Sequence, residues 1–516
     1  MLLHRQKAIS NSITAKKISI MRVVMPALKG MSALVLCSIL GCAVGPDFER
    51  PKPPSIESYA TGTTTSATIP ADGKAQSFEQ GGEIVADWWR LFNSPKLDAV
   101  VKEAIANNQS LQAAQASLRQ SQDILRAGYG VFYPQVDAGL EASRQKSSPV
   151  LIRGTAPSSI FNLFTLSATV SYALDVFGGE RRAVESLGAQ VDFQHAVVMA
   201  TYITLSGNVA NTIIAQAAYR EQITATVEII DFQRDQIKIT EAQARAGLIP
   251  YANLLSLQSQ LAAVEATLPS LRQKLSQTEH LLATLVGRTP AEWAPQQVDL
   301  ADLTLPSELP ITLPSELVRQ RPDILAAEAQ LHSASAEIGV ATAALFPSFT
   351  LNGAYGVGSN TSSNLFKSNS SFWNLGANIS APLFRGGTLW YGRQAAIDAY
   401  QVSLSNYRQT VISAFAQVAD ALRGLEHDAE LVQAQSRALG ASEEALRLIK
   451  TNYEAGTANY VQVLIANGQY QQAKIGYIQA QAQRFQDTIA LFVALGGGWW
   501  NTEEMSQAVG TVRGRL

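Results

Sequence analysis

Residues 108–134 read NQSLQAAQASLRQSQDILRAGYGVFYP, and residues 321–347 read RPDILAAEAQLHSASAEIGVATAALFP. At an offset of 213, Leu111 falls on Ile324, Ala114 on Ala327, and Tyr133-Pro134 on Phe346-Pro347. Three later landmarks keep the same order. Phe177-Gly178-Gly179 answers Phe384-Arg385-Gly386 at offset 207, and Arg245-Ala246-Gly247 answers Glu454-Ala455-Gly456 at offset 209. Gly287 after LLATLV answers Gly496 after LFVAL, again at 209. Chance matches do not hold their order in this way. The sequence therefore reads as an internal two-fold repeat, 97–287 and 316–496, joined by a Pro-rich connector at 288–315.

Each half carries the same signals in the same order: a medium helix, two strands, a very long helix, a turn and a return helix. The expected hairpins are 134–174 and 347–383. In the first, Val136, Ala138, Leu140 and Ala142 alternate with Asp137, Gly139, Glu141 and Ser143. Its partner LFTLSATVSYALDVF alternates likewise, as do SFTLNGAYGVGS and WNLGANISAPLF in the second half. Alternation with one apolar face fits strands, and strands of about ten residues fit a tilted transmembrane strand. The stretches 178–245 and 386–454 contain no proline and are rich in Ala, Gln and Glu, which predicts two helices of roughly 100 Å at 1.5 Å per residue. A helix of that length with small apolar residues buries a narrow seam against neighbours, as in a coiled coil. Gly247 and Gly456 are placed to supply the positive φ at the helix-turn tips, and Pro250 blocks continuation. Return helices follow at 251–286 and 461–495. The entry helix 97–131 and the return helix 251–286 together match one long helix in length, so the two medium helices are expected to stack end to end.

Four strands cannot close a barrel, and an open sheet edge in lipid leaves N–H and C=O groups unpaired. A membrane reading therefore requires several copies of the chain. Eight strands need two copies and twelve need three.

The N-terminus carries a separate signal. Residues 1–41 hold six Lys and Arg and no acid, and end in the short apolar run MSALVLCSIL at 31–40. Ten residues are too short to span a bilayer, so the segment reads as a signal peptide. Ile39-Leu40-Gly41-Cys42 is similar to the lipobox of bacterial lipoproteins, which implies a covalent lipid on Cys42 as the new N-terminus. Ala43 after it suggests delivery to the outer membrane. Residues 42–96, rich in Pro, Ser, Thr and Gly, are expected to form an acylated extended segment, and 497–516 a C-terminal tail.

Composition excludes other functions. The 516 residues contain 40 Lys+Arg and 42 Asp+Glu; without 1–41 the basic residues fall to 34, and no basic patch stands out that would attract nucleic acid. The chain has two cysteines, Cys37 and Cys42, so neither a disulfide framework nor a thiolate metal site follows. His195, His280, His332 and His427 share no ligand spacing. The glycine pairs at 178–179 and 386–387 have no lysine placed for phosphate. No catalytic set, metal site or cofactor other than the lipid is expected, and the chain reads as a non-enzyme.

GCAVGPDFERP (41–51), DWWRLFNSPKLDAVV (87–101), RQRPDILAAEAQL (319–331), APLFRGG (381–387), YEAGTANYVQVL (453–464) and ALGGGW (494–499) follow one another along the chain. In this order the sequence resembles the TolC-like outer-membrane factors of tripartite efflux systems, and more closely their lipoprotein (NodT/OprM-like) branch. The resemblance implies a mixed α+β membrane protein: a homotrimer with a 12-stranded β-barrel, four strands per chain, continued by a long α-helical coiled-coil barrel through the periplasm. It also implies a periplasmic adaptor and an inner-membrane pump of RND or ABC type as partners, with outer-membrane lipid around the barrel. Relatives usually carry an acid in the return helix, in a stretch like VLDAQ. Here Ile465 occupies that place, Gln462 stands one turn earlier, and Asn253 and Ser256 fill the comparable places in the first half. These four are the candidates for an uncharged periplasmic gate; the competing role for Ile465 is core packing. The competing function for the whole chain is a non-channel coiled-coil structural lipoprotein of the envelope.

Overall fold

The computed structural model describes residues 43–56, 58–59, 66–72, 75–146 and 159–501. The signal segment, Cys42, residues 147–158 of the first hairpin loop and the tail from residue 502 lie outside the described residues.

In chain order the elements are β1 (Ser77–Gln80), a 3-10 turn (Trp88–Phe92), α1 (Pro95–Asn107), α2 (Gln109–Gly128), β2 (Gln135–Lys146), β3 (Ile160–Leu174) and α3 (Gly179–Arg245). They continue with α4 (Tyr251–Glu265), α5 (Thr267–Leu285), β4 (Glu308–Ile311), α6 (Pro314–Gln320) and α7 (Pro322–Ala343). The last are β5 (Ser348–Ser359), β6 (Ser371–Ser380), α8 (Thr388–Glu454) and α9 (Tyr460–Ala494). Helices α3 and α8 have 67 residues each.

Several elements differ from the sequence expectation. The entry helix is two helices, because Asn108 is extended and its side chain is engaged on both sides: Nδ2 donates to Leu285 O and Oδ1 accepts from Leu111 N. Its counterpart breaks at Arg321, the residue before Pro322, where the proline ring disfavours helix. The first return helix divides at Ala266; Pro269 provides no N–H and its ring crowds the carbonyl of Glu265. Residues 42–96 are not merely extended: β1 pairs in parallel with β4, and Trp88–Phe92 forms a turn of 3-10 helix. Within the expected tail, Trp499 donates from Nε1 to Gln320 O.

The chain divides into two compact units. Of the described residues, one comprises those within 43–49, 121–191 and 330–404; the other comprises those within 50–120, 192–329 and 405–501. The first unit is built on an antiparallel sheet in the order β2-β3-β5-β6. Phe177 stacks on Phe346 at 4.6 Å below the sheet's end, and Asp175 caps α3, accepting from Glu180 N and Arg181 N. In the second unit Trp88, Trp89, Phe92 and Phe492 are fully buried, with Trp88 stacked on Phe492 at 5.5 Å. Buried Arg321 ties this core together. It donates to Ala414 O at 3.2 Å, Ala494 O at 2.8 Å and Asp323 Oδ1 at 2.9 Å, and also to Gln417 Oε1. Three helices thus converge on one guanidinium, whose charge is met by the C-terminal carbonyl of α9 and by a carboxylate.

Candidate functional site

Cross-strand neighbours point to the same face of a sheet, so register determines which side chains line up. Leu140 pairs with Leu166, and Leu166 with Val357. Ala138, Ala168, Tyr355 and Trp373 form the next row, and Val136, Val170, Gly353 and Leu375 the one after. Tyr172, Leu351 and Ala377 follow, then Leu174, Phe349 and Ile379. Through these five rows the face is apolar apart from Ser371, which pairs with Val357; further along it turns polar at Asn162, Arg144 and Lys146, and the apolar part is open: Leu375 is 81% exposed, Trp373 76% and Leu140 74%. The opposite face carries Asp137, Glu141, Thr165, Ser167, Thr169, Asn352, Asn374 and Asn378. An exposed apolar surface of this extent marks an interaction with membrane or protein, and strands of 10 to 15 residues with one apolar and one polar face have the length and alternation of transmembrane strands. Among the described residues, β2 and β6 each pair along one edge only.

The second feature lies at the ends of the long helices. After α3, Gly247 takes φ 75°, Leu248 N donates to Gln243 O at 2.9 Å and Gly247 N to Ala244 O at 3.0 Å. After α8, Gly456 takes the same φ, with Thr457 N on Asn452 O at 2.8 Å and Gly456 N on Tyr453 O at 3.0 Å. Both are left-handed glycine caps that satisfy the last carbonyls of a helix. The second turn then enters α9 through a capping box: Asn459 Oδ1 accepts from Gln462 N at 3.0 Å, and Gln462 Oε1 accepts from Asn459 N at 3.1 Å.

Beside these turns lies a cleft of about 730 Å³. Asn253, Ser256 and Ile465 all line it, together with Val461 and Leu464. Three of the four gate candidates are thereby brought together. Gln462 is not among the lining residues, because its side chain is folded back onto the cap. Ile465 is 57% exposed, whereas Val463 and Ala466 beside it are buried against Leu446. Within the chain, then, Ile465 is not core. No acidic or basic side chain lines the cleft. Burial pushes the Tyr460 hydroxyl at its edge up to about 12, so that group is neutral as well.

The family described as outer membrane efflux protein matches residues 100–288 and 313–497. The chain belongs to that family. It is 31% identical to the pyoverdine export outer membrane protein OpmQ of Pseudomonas putida, over 87% of this chain and 96% of the relative. It is 27% identical to the cation efflux system protein CusC of Escherichia coli, over 92% of this chain and all of that one. The crystal structure of the open state of the Neisseria gonorrhoeae MtrE outer membrane channel superposes with a TM-score of 0.77 at 27% identity, covering 89% of this chain and 99% of that one. This outer membrane efflux protein is accordingly an efflux-pump channel of the Gram-negative outer membrane, and its four-stranded sheet is transmembrane.

Two features of this efflux protein were invisible in sequence. Arg182, its side chain buried, donates from Nη2 to Asp47 Oδ1 at 2.6 Å and from Nη1 to Glu185 Oε2 at 2.7 Å. Val44 N donates to Phe177 O at 3.0 Å, and Phe48 stacks on His332 at 4.3 Å while His332 Nε2 contacts Glu185 Oε1 at 3.0 Å. The segment directly after Cys42 is therefore held against the start of α3. The second feature is Asp428, buried in α8. Burial first, and then the neighbouring Asp487 carboxyl, push it up to about 8 despite Arg484 nearby. Its Oδ2 has no hydrogen-bond partner. Among the described residues no group of three or more His, Cys, Asp or Glu is placed to hold a metal ion.

Proposed function

We propose that three copies of this chain assemble into one passive exit duct: a 12-stranded barrel, four strands from each copy, continued by a tunnel built from α3, α8 and the helices packed with them. The observation that carries this reading is the sheet with an exposed apolar face and two edges that lack partners. In lipid each unpaired backbone group costs several kcal/mol, so β2 of one copy must meet β6 of another. The two matched family segments and the two 67-residue helices support an internal duplication, which would give the trimer six similar sectors.

In this reading solute reaches the duct from an inner-membrane pump through a periplasmic adaptor, and the chain itself carries out no catalysis. One relative serves pyoverdine export and another cation efflux, and in this reading the pump rather than the duct selects the cargo. Cys42 carries the lipid anchor, and the bonds of Val44, Asp47 and Phe48 fix the strand–helix junction next to it. The duct closes at the helix tips, where Ile465 with Asn253 and Ser256 forms an uncharged constriction, while Gln462 fixes the start of α9. Purified protein in planar bilayers tests the core of this reading. Ion-conducting particles whose native mass corresponds to three chains are expected, and a conducting monomer would overturn it.

A further inference from the structure

The only charged side chains in the four strands of the sheet are Asp137, Glu141, Arg144 and Lys146, all in β2. They are sorted by sign. Asp137 and Glu141 lie on the polar face, whereas Arg144 and Lys146 share the face of Leu140 and Ala142. They are also sorted by depth. On β3 the apolar rows run from Leu174 to Phe164, a rise of about 33 Å along the strand and roughly 25 Å along the membrane normal at a tilt of about 40°. That is the height of a barrel's apolar band. The next two rows on the lipid-facing side are Arg144 with Asn162 and Lys146 with Ile160. Arg144, Lys146 and Asn162 are all exposed. The long helices α3 and α8 follow the opposite end of the sheet, after Leu174 and Ser380, so the two bases stand at the end that points away from the periplasm.

A base on the lipid-facing side is costly inside the apolar band and is stabilised where headgroups begin. No carboxylate stands on this face of the four strands, so the counter-charge comes from outside the sheet. Positions 144 and 146 are about 7 Å apart on one face, and both side chains are long enough to converge on a single phosphate. Arg144 supplies a planar fork that matches phosphate oxygens, Lys146 a point charge and Asn162 an amide donor. Leu140 and Phe164 lie next to them on the membrane side, so acyl chains attached to that phosphate find apolar surface at once. A soluble anion would gain nothing from those two side chains.

We propose that Arg144, Lys146 and Asn162 bind a phosphate group of the glycolipid of the outer leaflet, with its acyl chains along Leu140 and Phe164. The assignment to the outer leaflet rests on the reading of the helices as the periplasmic part of the duct; the anionic-lipid site itself does not. The bound lipid sets the depth of the hairpin-loop end of the sheet.

Diphosphoryl lipid A is the probe, and native mass spectrometry of the full-length detergent-solubilised channel is the measurement. The native protein is expected to retain lipid A, and Arg144→Gln/Lys146→Gln to bind it roughly tenfold or more weakly, because two cations near the headgroup are lost. If the double variant does not assemble, Arg144→Gln and Lys146→Gln serve singly, each with a smaller loss. Phosphatidylcholine, which has no net charge, is expected to bind native and variant channels alike. Lys238→Gln, which removes a base of α3 paired with Asp235, is expected to bind lipid A as the native protein does. Equal retention of lipid A by native and variant channels overturns the site, and so does an equal loss in Lys238→Gln. Displacement of lipid A by excess inorganic phosphate at constant ionic strength overturns the lipid as occupant. Phosphatidylglycerol held more tightly than lipid A, with the preference lost in the double variant, overturns the outer-leaflet assignment. The same spectra count the chains in each particle, so a failure of the three-chain duct is read separately from a failure of the site.

Discussion

Ile465 and Gln462 are one turn apart, yet the structure separates their roles. Gln462 completes the capping box of α9, so its replacement by Ala is expected to fray the start of that helix at a cost of about 1 kcal/mol, read as a lower unfolding midpoint. Ile465 presents its side chain to the cleft. In the proposed trimer, three aspartates around the axis would repel one another by roughly 1 kcal/mol per pair in a hydrated constriction, and their field would favour cations. Ile465→Asp is therefore expected to raise single-channel conductance and to shift the reversal potential in a salt gradient toward cation selectivity. Unchanged values in a variant that still inserts would mean that Ile465 packs against a neighbouring copy. Asn459 followed by Gln462 three residues on is a capping-box signature that the sequence reading passes over in taking Gln462 for a gate residue. The burial of Val463 and Ala466 on either side of Ile465 was not legible, since a narrow seam in a long helix does not announce which face it turns inward.

At the scale of elements, the strands and long helices were legible because their signals are local: period-two alternation, long proline-free runs, and a glycine at each cap. What the sequence withheld was set by distant partners. The break at Asn108 depends on the carbonyl of Leu285, and the sheet order depends on β3 finding β5 some 180 residues later. Pro269 and Pro322 are break signals that the sequence reading does not use; the length match of 97–131 plus 251–286 treats 251–286 as one helix. Asp428 shows the same limit energetically, because nothing in the α8 sequence reveals Asp487 across from it. The sign of its effect is clear. An unfolded aspartate loses its proton near 3.9, whereas the folded one holds it up to about 8. Between those limits the folded state binds the extra proton, so stability falls as pH rises, with a slope of up to about 1.4 kcal/mol per unit from this group. Asp428→Asn keeps the neutral shape and removes the titration. Its unfolding midpoint is expected to exceed that of the native protein at pH 8 and to approach it near pH 5. A native midpoint that rises from pH 5 to pH 8 in parallel with that of the variant would contradict the assignment.

For the whole molecule, the decisive property is the sheet that one chain leaves unfinished. Its two faces make opposite demands, and a pair of neighbouring positions separates them. Leu166 and Thr169 both lie in β3, paired on both edges, but Leu166 is on the apolar face and Thr169 on the polar one, where it pairs with Asp137 and Ala354. A charge on the lipid face costs about 2–4 kcal/mol at mid-bilayer, while one facing a watery lumen costs little. Leu166→Arg is therefore expected to reduce the trimer recovered from outer membranes severalfold. Thr169→Arg is expected to leave the yield near native and to alter ion selectivity instead, since in the proposed trimer three added cations would line the barrel. Cys42→Ala supplies the complementary test, because the proposed lipid anchor and the proposed barrel would hold the membrane independently. Mass analysis is expected to find an acylated Cys42 in the native protein and none in the variant, which keeps its channels if barrel insertion alone suffices to hold them. Equal loss of trimer in Leu166→Arg and Thr169→Arg would mean that the apolar face is covered by protein, and the barrel would have to be rebuilt with the opposite side toward lipid.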